Sequence, residues 1–94
     1  MLLDEYATEA ALTLQRLGQA IADGAAEEAR SLAHRLAGSS ATLGARALAA
    51  ELRAIEAEGR EGRTRGDLAE GARLQAILDS TMDRFEQLVR DAAV

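Results

Sequence analysis

Apolar residues recur along most of the chain at alternating steps of four and three, the spacing that gathers them on one side of an α-helix. In the first stretch the series is Leu3, Ala7, Ala10, Leu14, Leu17 and Ile21, which predicts a helix from about Leu2 to Ala22. Asp4 and Glu5 lie in its first turn, where carboxylates complement the positive end of the helix dipole. Leu12 falls roughly 160° from Leu14 on a helical wheel and is expected to be exposed. Asp23-Gly24 then interrupts the pattern. A second series, Ala29, Leu32, Ala33, Leu36, Ser40 and Leu43, predicts a helix from about Ala25 to Leu43, stopped by Gly44. Ser40 belongs to the inward side, and its hydroxyl is expected to bond back to the carbonyl of Leu36.

Leu48, Leu52 and Ile55, flanked by Ala45 and Ala49, predict a third helix from about Ala45 to Glu58. Gly59, Gly62 and Gly66, with charged residues between them, predict a loop. Asp67 and Glu70 form a D-x-x-E start signal, a variant of the capping box. The last helix runs from there to about Ala92, with a stripe of Leu74, Leu78, Thr81, Phe85, Leu88 and Ala92 edged by Ile77, Met82 and Val89.

Four amphipathic helices joined by short connections predict an all-α fold, an antiparallel up-down-up-down four-helix bundle that spans residues 1–94 as one domain. The competing architecture is a helical hairpin that dimerises. Four complete stripes favour a self-sufficient monomer.

Composition narrows the picture. Proline is absent and the aromatics are Tyr6 and Phe85 alone, in keeping with a wholly helical chain. The lack of cysteine excludes disulfides and thiolate metal sites. No apolar run reaches membrane-span length and no signal peptide leads the chain, so a cytoplasmic protein without membrane contact is expected. Met1 points to a chain that stands alone rather than a piece of a longer one. The net charge of -5 argues against a nucleic-acid partner. Arg60, Arg63 and Arg65 read as a short solvated basic loop.

The chemistry rests on the single histidine, His34. It falls roughly 160° from Leu36 on the second helix and should face solvent or a partner. Ala37, Gly38 and Ala41 follow it by three, four and seven places and share or border its face. A glycine inside a helix costs about 1 kcal/mol relative to alanine. On the outward side, Gly38 has no core to pack, and its effect is to clear space beside the imidazole. A lone histidine on a solvated helix is ordinarily a polar residue and nothing more. The patch of small side chains, and the motif around it, move the reading beyond that.

The run His34-Arg35-Leu36-Ala37-Gly38-Ser39-Ser40-Ala41-Thr42-Leu43-Gly44-Ala45, followed by Leu48, Leu52 and Ile55-Glu56, resembles the histidine phosphotransfer (Hpt) domain family. The family motif is close to His-x-x-Lys-Gly-Ser-Ser-x-x-Leu-Gly-Ala. This chain matches at His34, Gly38, Ser39, Ser40, Leu43, Gly44 and Ala45, and departs at Ala37, where the family usually has lysine. The resemblance implies a phosphorelay intermediate. His34 would accept a phosphoryl group and exchange it with an aspartate of a response-regulator receiver domain or a hybrid histidine kinase.

In relatives an acidic or amide residue late in the third helix orients the ring, and the matching position here is Glu56. A cation beside a phosphorylated ring offsets its new charge. With alanine at position 37, Arg30, one turn before His34, is the candidate substitute; Arg35 and Arg46 are less well placed. Leu12, Ala37 and Ala41 are candidate docking contacts. No P-loop, kinase signature or Mg²⁺-binding carboxylate cluster is present, so the chain is expected to bind no cofactor, with Mg²⁺ supplied on the receiver partner. The rival readings are an Hpt-like binding module that carries no phosphate, and a plain helical scaffold.

Overall fold

A computed structural model describes residues 2–64 and 68–93. The described residues form α1 (Leu2–Ala22), α2 (Ala26–Thr42), α3 (Arg46–Arg60) and α4 (Leu68–Ala93). Asp67 of the expected start signal, with Arg65 and Gly66, lies outside the described residues.

The first two corners close alike. At the end of α1 the Ala25 N–H donates to the Ala20 carbonyl at 2.9 Å and the Gly24 N–H to the Ile21 carbonyl at 3.1 Å. At the end of α2 the Ala45 N–H donates to Ser40 at 2.8 Å and the Gly44 N–H to Ala41 at 3.1 Å. This paired pattern requires a left-handed residue after the helix, which glycine adopts without a Cβ penalty. Gly24 and Gly44 take φ of 71° and 84°. The chain therefore reverses twice within a few residues and lays α1, α2 and α3 antiparallel.

The helices pack in the order α4, α1, α2, α3, and the seam that closes α3 on α4 is thin. The core is aliphatic. Leu14, Leu17, Leu48, Leu52, Leu74 and Leu78 are fully buried, each contributing about 1.5–3 kcal/mol relative to exposure. Two of the joints are built on glycine. A Cβ on Gly71 of α4 would lie 3.3 Å from the Gly18 Cα of α1, so these backbones approach closely. A Cβ on Gly59 of α3 would lie 2.7 Å from the Arg30 Cβ and 2.8 Å from the Ala26 carbonyl oxygen of α2. Gly59 is thus a buried residue inside α3, not the start of the loop, and α3 continues two residues past the predicted end.

Two further expectations need correction. Ser40 is buried, but its hydroxyl meets the Tyr6 hydroxyl of α1 at 2.7 Å, while Ser39 donates to the Leu36 carbonyl at 3.2 Å. Leu88, placed in the α4 stripe, is 64% exposed, and Val89 and Ala92 are also exposed. The register explains why. Gly71 lies against Gly18 in an antiparallel pair, so Leu88, seventeen residues on, runs past the beginning of α1 at Leu2. The periodicity of the stripe continues beyond the cover of α1, and there Leu88 shares only an open hollow with Arg46 and Ala47 at the start of α3.

Candidate functional site

The α2–α3 pair carries the site. His34 projects from the middle of α2 with its side chain 64% exposed, on the side away from the Leu32–Leu36 core face. Its Nδ1 lies 3.0 Å from Oε2 of Glu56 on α3. A carboxylate only accepts hydrogen bonds, so Nδ1 is the donor, and in the neutral tautomer this contact selects, Nε2 carries the lone pair. Glu56 is only 7% exposed and is held from below as well. The Arg60 guanidinium, one turn further along α3, donates to the same Oε2 at 2.6 Å. The nearly buried carboxylate therefore bridges a fixed cation and the exposed ring, and none of its buried polar atoms lacks a partner.

Around the ring is a hollow of about 350 Å³ lined by His34, Ala37, Gly38, Arg53, Glu56 and Arg60. A Cβ placed on Gly38 would meet nothing within 4 Å, so the space beside the imidazole is open. Ala41 is exposed further along the same helix.

Other candidates lie elsewhere. Ala37 is 2% exposed and forms part of the hydrophobic core, so it floors the hollow and is not a docking contact. It occupies the flank of α2 that α3 covers. Leu12 is 47% exposed on α1 but does not line the hollow, which takes all its residues from α2 and α3. Arg30 does not turn to the ring. It pairs with Glu27, one turn earlier in α2, through two hydrogen bonds. That partner raises the Arg30 guanidinium and lowers the Glu27 carboxyl, with Glu56 adding a smaller pull on Arg30.

The cations that share the hollow are Arg53 and Arg60, neither of them a candidate from sequence. Gly59 reads as a helix end in the sequence, which puts Arg60 in the loop. The four-residue spacing of Glu56 and Arg60 is a helical ion-pair signal, legible once the helix is extended. Among the described residues, no group of three metal-ligating side chains is found and no helix is long and apolar enough to cross a membrane.

The site is an exposed imidazole with one ring nitrogen held by a nearly buried carboxylate, on an antiparallel helical bundle. The Hpt domain family model matches residues 1–92, nearly the whole chain, and the protein belongs to that family. Hpt domains are phosphocarrier modules of phosphorelays and not kinases. Comparison with curated proteins and with solved structures gives no significant match.

Proposed function

We propose that His34 accepts a phosphoryl group on Nε2 from the phosphoaspartate of a response-regulator receiver domain or a hybrid histidine kinase, and returns it by the reverse step. The observation that carries this reading is the 3.0 Å contact of Nδ1 with Glu56, which in the neutral ring directs the lone pair, and so the nucleophile, to the outward Nε2. As the Nε2–P bond forms, the P–O bond of the acyl phosphate breaks and the partner's aspartate leaves as a carboxylate. The imidazole gains positive charge in that step, and the Glu56 carboxylate beside Nδ1 offsets it. Phosphoryl transfer depends mainly on positioning and charge neutralisation. This chain supplies a positioned nucleophile with open space around it. The receiver supplies the acidic pocket and Mg²⁺.

The test is incubation with phosphorylated receiver domains and Mg²⁺. The expected product is an acid-labile, alkali-stable label on the chain that His34→Gln abolishes. Receiver binding without label across a panel of receivers would replace this reading with that of a binding module that carries no phosphate.

A further inference from the structure

We infer that Arg53, on α3, is the cation that receives the phosphoryl oxygens on His34, supplied from across the helix pair where α2 itself offers alanine. The inference rests on His34 being the phosphorylated residue.

The register of the two helices carries it. Gly59 lies against Ala26 and Arg30, and Glu56 lies against His34. Moving back along α3 therefore moves forward along α2. One further turn, three residues before Glu56 and three or four after His34, sets Arg53 opposite Ala37 and Gly38. Both of those positions are stripped of bulk: Ala37 is a buried floor and Gly38 has no side chain. Arg53 lines the same hollow as His34 and is exposed. It makes no ion pair or hydrogen bond with another described residue.

Arg60 also lines the hollow, but its guanidinium is committed to Glu56. Arg30 is committed to Glu27. Of the three arginines near the ring, Arg53 is the one with its donors unspent. A guanidinium presents several N–H groups in a planar fork that matches phosphate oxygens. Gly38, in the same hollow, places no side chain in its way. In the unphosphorylated chain the same guanidinium is available to an incoming acidic partner.

A small phosphodonor tests this without any protein partner. Phosphoramidate transfers its phosphoryl group to the imidazole: the donor P–N bond breaks, an Nε2–P bond forms and ammonia leaves. The phosphohistidine resonance is then followed by ³¹P NMR across pH. A nearby cation favours the more highly charged phosphoryl form, so its removal raises the midpoint of the phosphoryl titration. Arg53→Gln is expected to raise that midpoint by about 0.5–1 pH unit, an exposed-site fraction of the shift a close ion pair produces. Arg53→Lys recovers most of it. Arg60→Gln, which also removes one charge from the hollow, gives less than half the shift because Arg60 is spent on Glu56.

A titration of Arg53→Gln that superimposes on wild type, or an Arg60→Gln shift as large as that of Arg53→Gln, overturns the assignment while leaving His34 a carrier. Failure of His34 to take the label at all overturns both.

Discussion

Gly59 and Arg30 set the distance between the two helices that carry the site: a methyl group on the glycine would come within 2.7 Å of the arginine Cβ. That is closer than carbon atoms pack, and the Ala26 carbonyl at 2.8 Å closes the other direction of escape. Gly59→Ala is therefore expected to force α3 away from α2. The cost of such overpacking is about 1–3 kcal/mol, which lowers Tm by roughly 4–8 °C per kcal/mol in a domain of this size. Gly38→Ala, where a Cβ meets open space, is the control; replacing a helical glycine there raises Tm. Thermal melts of the two variants check the pair.

Glu56 is expected to act on the ring and much less on the fold. Glu56→Ala removes the acceptor for Nδ1 and should slow acceptance of phosphoryl groups by about ten- to a hundredfold, the usual scale for an orienting partner. Glu56→Gln keeps an acceptor oxygen and should lose less. Nitrogen chemical shifts of the imidazole check the cause: the wild-type ring holds its proton on Nδ1, and the alanine variant divides it between both nitrogens.

Tyr6 offers a test of the α1–α2 joint. Burial holds its phenol above the ordinary value of 10.0, and the hydrogen bond from Ser40 pulls it partway back. The folded state thus keeps its proton longer than the unfolded chain does. Stability from this group is complete below pH 10 and declines as the pH rises through the raised folded value. The chain has one tyrosine, so its ultraviolet titration is unambiguous. The midpoint should lie above 10, and Ser40→Ala should move it higher still.

The overrun of α4 predicts a sharp division along one stripe. Leu74→Ala, at a fully buried position, should cost about 2–5 kcal/mol. Leu88→Ala, about four turns further along, should change stability by no more than about 0.5 kcal/mol because the side chain is largely in water already. Chemical denaturation of the two variants measures the contrast.

Periodicity made the four helices legible, along with the outward direction of His34 and the inward one of Ser40. A wheel reports which way a residue points but not what stands there. Ser40 points inward, yet its partner Tyr6 comes from a helix thirty-four residues away. Leu88 is in phase with Leu74, but the pattern is silent on where α1 begins. Ala37 borders the face of His34, and only the packing of α3 on that flank decides that it is buried.

The misplaced end of α3 has a different cause. A glycine in a helix is costly, so Gly59 reads as a breaker. Here the cost is offset by the close approach of two helices, a tertiary contact with no local signature. The same contact carries Arg60 into the helix, one turn from Glu56. Arg30 faces the right way, but Glu27 at three residues' distance claims it first, and that pairing was visible in the chain.

None of the residues lining the hollow around His34 comes from α1 or α4. The imidazole and the side chains around it are confined to one hairpin, and the other two helices back it. Their outer surfaces are consequently at liberty to diverge: sequence drift there leaves the imidazole and its carboxylate untouched.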